Sequence, residues 1–520
     1  MSTARTMPGL LAEAAERYAG RAAIVDGAVR LSYAALAHEV EVASRAYWAA
    51  GVRPGDRVAV WAPNQAEFVV ALCGAQRIGA AVVPLNTRYR GPEAHTILER
   101  SRASALVVAD GFLGTGYLTM LAESGDRPPH LHTIVDLGDS GHPDAVRWTD
   151  FLAGAERADP AEAAAAAAAV TPDTVCDILY TSGTTGLPKG VMSAHRQTIG
   201  VAAVWARGAG LSPADRYAIV NPFFHSFGYK AGFVAAFTAG STVYPVRTFD
   251  PVALMSSIER ERITVLPGAP TIFTTLLNSS ERNRFDLSSL RFAIAGAASV
   301  PENLFVRMLD ELGFDQVGQA YGLTECVVAT QSRPGEDPRH VAETTGPAVS
   351  GLEVRIAGAD GSEQPVGVDG EIWIRGENVM LGYFEDPEST RAAIDPDGWL
   401  HTGDLGRTDE HGCVTITGRL KDMFTVGGFN VYPAEVENVV ADHPDVAETA
   451  VIGIPDERLG SVARAYVTVR PGHDLDPDDL ITFCRHRLAN FKAPRDVVVL
   501  DELPRNASGK VLKRVLAGED

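Results

Sequence analysis

Residues 180–190 read YTSGTTGLPKG and follow the apolar run 175–179. Hydroxyl side chains are interleaved with glycines, and Lys189 closes the run. Glycine permits close backbone approach and positive φ. Exposed N–H groups and Thr and Ser hydroxyls then cradle an anion, and the lysine adds a point charge. This is phosphate-binding chemistry. It is not a Walker A motif, because Pro188 stands where that motif has its second glycine and Gly190 follows the lysine. No G-x-S-x-G nucleophile elbow occurs, which speaks against a hydrolase.

The elements that must position this loop follow from hydrophobic patterning. Over the first four hundred residues, short apolar runs alternate with longer helical segments. The runs 57–62, 105–110, 263–266 and 291–296 read as buried strands, and 301–312 reads as a helix between them. That alternation predicts an α/β fold built on mainly parallel sheets. From about residue 351 the texture changes to short alternating strands (352–356, 370–374, 413–417) separated by Gly and Asp turns. These predict a small antiparallel or β-barrel-like subdomain. A last unit begins near residue 418, with strands at 450–453 and 465–469 and a helix at 477–490 capped by Asp476 or Asp478. It is long enough for a small α+β domain. The alanine run in 162–170 reads as a helical or flexible surface connector.

Composition narrows the function classes. The chain has 520 residues, with 46 Lys+Arg against 66 Asp+Glu, a formal net charge of −20. Such an acidic balance disfavours broad nucleic-acid binding and a polybasic membrane surface. The five cysteines form no C-x-x-C pair, so neither a zinc ribbon nor a disulfide framework is expected, and buried thiols in a reducing cytoplasm are. No apolar run is long enough to span a membrane, and the first residues do not form a signal peptide. A cytoplasmic protein is expected.

Eight motifs in order resemble the adenylate-forming superfamily of acyl-CoA synthetases, luciferases and nonribosomal adenylation domains, across almost the whole chain. They are PLNTR (84–88), the loop at 180–190, NPFFHSFG (221–228), QAYGLTE (319–325), GEIWIRG (370–376), HTGDL (401–405), GRLKDMFTVGGFNVYPAEVE (418–437) and PRNASGKVLKR (504–514). The resemblance implies an N-terminal AMP-binding domain over 1–418, its β-rich part at 350–418, and a mobile C-terminal domain over 419–520 with a hinge near Lys421. It also implies roles. Thr181, Ser182, Gly183, Thr184, Thr185, Gly186 and Lys189 would hold the ATP phosphates. Tyr321 and Gly322 would flank the adenine, and Thr324 would bond the α-phosphate. Thr184 and Glu325 would hold Mg²⁺, an ion content with one carboxylate plus phosphates. Asp404 and Arg419 would take the ribose. Lys510 would reach the substrate carboxylate and counter charge building at phosphorus. In the other hinge pose Gly427 and Gly428 would line the tunnel for coenzyme A. The implied reaction is two-step: an acid and MgATP give an acyl-adenylate and pyrophosphate, and a thiol then displaces AMP. Positioning and charge neutralisation suffice for it.

His225 falls where amino-acid-activating relatives keep an aspartate, so an uncharged acyl group is expected. It reads as a pocket gate or carboxylate contact, or else as a packing histidine. The pocket wall is expected from 227–233, 267–272 and 295–299. Residues 192–199 and 221–232 are similar to ligases of actinobacterial steroid catabolism, which activate a propanoate chain on the fused C and D rings, a methylhexahydroindanedione. In that reading Lys230 would meet a ring ketone; otherwise it is a salt-bridged or mouth-lining lysine. A medium-chain fatty acyl-CoA ligase, a carrier-protein-loading enzyme and a luciferase-like oxygenase are the alternatives. Beyond the small carboxylic acid and coenzyme A, no nucleic-acid partner is expected, and a homodimer is left open.

Overall fold

The computed structural model describes residues 2–138, 140–181, 188–296, 302–426, 429–456, 458–488, 490–505 and 511–518. Its largest sheet has eight strands, in the order Gly382–Tyr383, Lys189–Ala194, Val175–Thr181, Ala81–Pro84, Arg57–Trp61, Ala105–Val108, Thr133–Asp136 and Val146–Arg147. From Val175–Thr181 onward all neighbours run parallel. The first two pairings are antiparallel. Central strands such as Ala105–Val108 are buried along their whole length, which is why they read as unbroken apolar runs.

A second set of strands carries Arg216–Ile219, Thr242–Pro245 and Ala22–Asp26 in parallel. It continues through Phe292–Gly296 and Gln316–Tyr321, also parallel. Residues 263–266, expected as a strand, make only single bridges from Val265 to Tyr217 and Phe292.

Helices fill the space between the sheets. Ala66–Arg77 buries ten of its twelve residues. It lies so close to the helix Tyr33–Ala49 that a Cβ on Gly74 would stand 2.8 Å from the Ala43 methyl. A helix hydrophobic all round belongs in a core, and this one sits in the largest cluster of buried side chains.

The later chain is antiparallel, as its texture predicts. Leu352–Ala357, Gly370–Gly376, Leu400–Thr408 and Val414–Arg419 form a four-stranded sheet. After Arg419 the chain passes through the exposed Lys421 into Phe424–Val426, which belongs to another sheet, with Phe429–Val431, Gly460–Val469, Val446–Asp456 and Asp496–Val499. That last unit has its own core, including Val436, Val451, Val467 and Leu480. Its helix spans Pro477–Arg485, ending short of the expected residue 490, and Asp476 caps it by accepting from Asp478 N. The alanine run forms the helix Pro160–Ala168, capped by Asp159, with Ala163 and Ala166 buried. It is therefore a packed element and not a loose connector.

All five cysteines are free and buried. Among the described residues no helix is long and apolar enough to cross a membrane.

The N-terminal helix Met7–Tyr18 is joined to the centre through His195, which is wholly buried and accepts from Met7 N at Nδ1 (3.1 Å). Burial pushes its imidazole down to about 4. The unfolded chain therefore binds a proton that the folded chain rejects between the ordinary histidine range and pH 4. Stability from this group is present above that range and is lost as pH falls through it. Lowering the pH from 7 to 5 is expected to cost ~2 kcal/mol at this one site. Urea unfolding at the two pH values checks it: the cost should shrink by that amount in His195→Asn, whose amide oxygen can still accept from Met7 N, and an unchanged pH dependence would assign the acid lability elsewhere.

Candidate functional site

The phosphate-type loop connects two antiparallel strands, Val175–Thr181 and Lys189–Ala194, in a register that sets Thr181 opposite Lys189 and Tyr180 opposite Gly190. Gly190 is needed there, because a Cβ would stand 2.8 Å from Ile178 and 3.0 Å from the Tyr180 ring. Ser182, Gly183, Thr184, Thr185 and Gly186 lie outside the described residues. Lys189 Nζ is 5.2 Å from the centre of the Tyr383 ring. Tyr383, paired with Val191 across the sheet edge, donates its hydroxyl to Glu325 Oε1 at 2.8 Å. Burial and the Glu325 charge push the Tyr383 phenol up, so it keeps its proton and remains a donor. Lysine, phenol and carboxylate thus form one continuous chain.

Glu325 lies on a tight loop that leaves the strand Gln316–Tyr321 and returns antiparallel at Thr330–Gln331. Gly322 makes the loop possible: a Cβ there would stand 1.9 Å from the Val327 carbonyl oxygen. Val327 itself sits at φ 61°, a left-handed conformation costly for a β-branched residue. Thr324 and Glu325 are half-buried on the turn, so both side chains are reachable. At the loop's start Tyr321 donates its hydroxyl to Asp404 Oδ2 at 2.7 Å. Burial and the Asp404 charge raise this phenol well above its ordinary range. Asp404 is 5% exposed and pairs through Oδ1 with Arg419 Nε at 2.9 Å. The strand register places Asp404 directly opposite Arg419.

The structure therefore brings Thr181, Lys189, Glu325 and Tyr321, with Asp404 and Arg419, onto adjoining strand ends and the 322–329 loop, where Gly322 and Thr324 also lie. Gly427, Gly428 and Lys510 lie outside the described residues. His225 stands apart from these contacts. It precedes the short helix Ser226–Gly228, and its Nδ1 accepts from Phe227 N at 3.2 Å. Burial lowers its imidazole, which favours the neutral ring. The segment around it is pinned by the buried Asn64, whose Oδ1 accepts from Phe223 N (2.6 Å) and whose Nδ2 donates to Ile219 O and Asn221 O (both 3.0 Å).

The expected wall at 227–233 is mostly core. Phe227 is partly exposed and meets Trp205 edge-on at 5.2 Å, whereas Tyr229, Lys230 and Phe233 are fully buried. Lys230 Nζ lies 2.8 Å from Asp177 Oδ1 and donates to Ser193 Oγ at 2.8 Å, and Thr198 Oγ1 donates to Asp177 Oδ2 at 2.7 Å. Its ammonium is already paired, so the salt-bridge alternative holds and the ring-ketone contact does not. Residues 267, 268, 295 and 296 are buried, and 297–300 lie outside the described residues.

Sequence reading missed Tyr383, Asn64 and Asp177. Asp177 carried a usable signal, a carboxylate inside an otherwise apolar strand that must find a buried cation. Asn64 and Tyr383 act through contacts formed only on folding.

Residues 11–384 match the family model of the AMP-binding enzyme, and residues 435–510 match that of the AMP-binding enzyme C-terminal domain. The chain is 53% identical over 517 residues to a protein of Rhodococcus jostii (strain RHA1), covering 99% of this chain and 98% of that one. That relative is named 3-[(3aS,4S,7aS)-7a-methyl-1,5-dioxo-octahydro-1H-inden-4-yl]propanoyl:CoA ligase. A protein of the same name from Mycobacterium tuberculosis (strain ATCC 25618 / H37Rv) is 49% identical, covering 98% of each chain. The crystal structure of the anthranilate CoA ligase AuaEII in complex with anthranoyl-AMP superposes with a TM-score of 0.87 at 26% identity, over 99% of this chain and 96% of that one.

Lys230→Met leaves Asp177 buried without its cation and is expected to cost ~3–5 kcal/mol. Chemical denaturation of the two proteins checks this, and a loss below 1 kcal/mol, about the worth of an exposed pair, would show the pair to be solvated.

Proposed function

We propose an acid substrate and a division of labour for this chain, which belongs to the AMP-binding enzyme family. It is an AMP-forming acid–thiol ligase, an acyl-CoA ligase. Its acid is the methylhexahydroindanedione propanoate derived from a steroid nucleus, and its thiol is coenzyme A. The observation that carries this reading is the 53% identity, over 99% of the chain, to a ligase named for that acid. The segment 224–227 supports it, since Phe-His-Ser-Phe offers no carboxylate to pair an ammonium group and so suits an uncharged ring system.

The nucleotide roles follow the family resemblance, and the geometry and donor chemistry of the described residues support them. Asp404 accepts the ribose hydroxyls; each of its oxygens makes one bond already and has a second lone pair to offer. Arg419 fixes that carboxylate and adds a donor. Tyr321 lies along the adenine, with Gly322 beside it. Thr324 donates to the α-phosphate, while Thr181 and Lys189 close the phosphate loop that Ser182, Gly183, Thr184, Thr185 and Gly186 would line. Glu325 offers a hard oxygen donor whose Oε1 is oriented by Tyr383, a fit for Mg²⁺ beside the phosphates, with Thr184 as the second protein oxygen. Bound there, Mg²⁺ supplies charge neutralisation for the triphosphate.

In the first half-reaction a carboxylate oxygen of the acid forms a bond to the α-phosphorus of ATP as the bond from that phosphorus to the α,β-bridging oxygen breaks, and pyrophosphate leaves with the electron pair. The products are the acyl-adenylate and pyrophosphate. Lys510, carried by the C-terminal domain, holds the reacting carboxylate and the α-phosphate together and offsets the developing charge. In the second half-reaction the coenzyme A sulfur bonds to the acyl carbon, and AMP leaves with the electron pair. The chain divides between these steps near residue 418, with 419–520 turning about Lys421 so that Gly427 and Gly428 replace Lys510 at the site.

AMP release with MgATP and coenzyme A across a panel of acids tests the substrate. The indanedione propanoate should exceed straight-chain fatty acids, aryl acids and amino acids in kcat/KM by about tenfold or more. Preference for a straight chain would replace the steroid acid with a fatty acid and leave the ligase chemistry intact. A second measurement tests the division of labour. Lys510→Ala should lose adenylate formation by about 10²–10³-fold while thioester formation from preformed acyl-adenylate stays near wild type. Equal loss of both steps would contradict the rotation.

A further inference from the structure

Away from the nucleotide site, the chain gathers three side chains with metal-ligand chemistry. Glu336, His340 and Cys413 each offer one donor atom, and these atoms lie within 4.8 Å of one another. Glu336 and His340 stand four residues apart at the start of the helix Pro338–Glu343, and Cys413 opens the strand Val414–Arg419. Nothing in the reaction uses them.

Two further observations point to a ligand. The Glu336 Oε2 atom is buried and has no hydrogen-bond partner. A desolvated carboxylate oxygen left unpaired is expensive, and an ion is one of the few things that accounts for it. The second is the environment of His340. Asp409 Oδ2 lies 2.9 Å from its Nε2, and Asp409 Oδ1 accepts from Cys413 N and His411 N, both at 2.8 Å. One carboxylate thus orients the imidazole and shapes the turn that presents the thiol. A carboxylate behind a ligating histidine is the usual outer shell of a zinc site, where it fixes the ring and raises the basicity of the other nitrogen.

We propose that Glu336, His340 and Cys413 bind one zinc ion, with water in the fourth position and Asp409 behind His340. The donor set selects the metal. Nitrogen and sulfur disfavour magnesium and calcium, and a mixed N, S, O set suits a borderline-soft tetrahedral ion. Tetrahedral zinc holds its donors ~3.3–3.8 Å apart, so the three side chains need close only slightly. Binding replaces the thiol proton with the ion, so one proton leaves for bulk water per ion bound.

The location gives the ion a structural role. Residues 336–340 follow the strand that pairs with Tyr321, whereas Cys413 sits in the hairpin that carries Asp404 and Arg419. Thr345 N donates to Val414 O at 2.7 Å and Val414 N to Gly346 O at 3.0 Å, so the two segments already touch. An ion there clamps the far ends of the two elements that meet at Asp404.

The test uses the full, tag-free chain, stripped with EDTA and dialysed, without ATP. After equilibration with ZnCl₂ and desalting, mass spectrometry should find one zinc per chain, and none in Cys413→Ser or His340→Gln. Zinc should raise Tm in the parent chain and leave Tm of both variants unchanged. Co²⁺ added to the stripped parent should give a thiolate-to-cobalt charge-transfer band that excess Mg²⁺ does not remove. Sub-stoichiometric zinc, or binding that survives Cys413→Ser, would overturn the proposal. Should a variant fail to fold, the cobalt spectrum of the parent decides alone: absence of the thiolate band refutes the site.

Discussion

A carboxylate taken out of water must be paired, and Asp404 meets that constraint with neighbours from two other stretches of chain. It is 5% exposed, bonded to Tyr321 through one oxygen and to Arg419 through the other. Left alone it would cost several kcal/mol. Tyr321 arrives at the end of a parallel strand, Asp404 and Arg419 on adjacent antiparallel ones. The parallel part of the fold and the antiparallel part are therefore locked where this group sits. The same three residues are the ones proposed to meet the nucleotide, so on that reading the packing of the two layers and the geometry of the site are one arrangement.

A second tie depends on backbone alone. Met380 N donates to Glu325 O (2.8 Å), Leu381 N to Met192 O (2.9 Å) and Phe384 N to Gly190 O (2.7 Å). This short strap sets the phosphate hairpin and the Glu325 loop at a fixed distance. Tyr383 adds its hydroxyl to Glu325 and its ring beside Lys189. Each bond is worth only ~0.5–1.5 kcal/mol net, yet together they remove a degree of freedom that catalysis by positioning cannot tolerate.

The α/β class and the change to antiparallel texture near residue 351 were legible because each rests on local pattern: apolar period and turn residues. Elements whose boundaries depend on partners were less so. Residues 263–266 have strand composition but only single bridges, and the helix at 477 stops at Arg485. Of the site, Tyr321, Asp404 and Arg419 were each visible in a motif, but their mutual contact was not, since it spans 98 residues of sequence between Tyr321 and Arg419. Lys230 is a different case, since the sequence left a ligand role and a salt bridge both open. A lysine near a site motif invites a ligand role, and only the folded chain reveals that Asp177, 53 positions earlier in the sequence, has claimed it.

That buried pair also limits how this scaffold can evolve. Tyr229, Lys230 and Phe233 follow directly on the His225 segment, yet they are bonded or packed into the layer shared with Asp177, Ser193 and Thr198. A lineage shifting to a different acid cannot freely sample these positions, because most changes there break a desolvated ion pair before they reshape a pocket. Drift in preference is channelled to partly exposed neighbours such as Phe227. Directed evolution that randomises 229–233 would return mostly insoluble protein, and libraries are better aimed at side chains the interior has not enlisted.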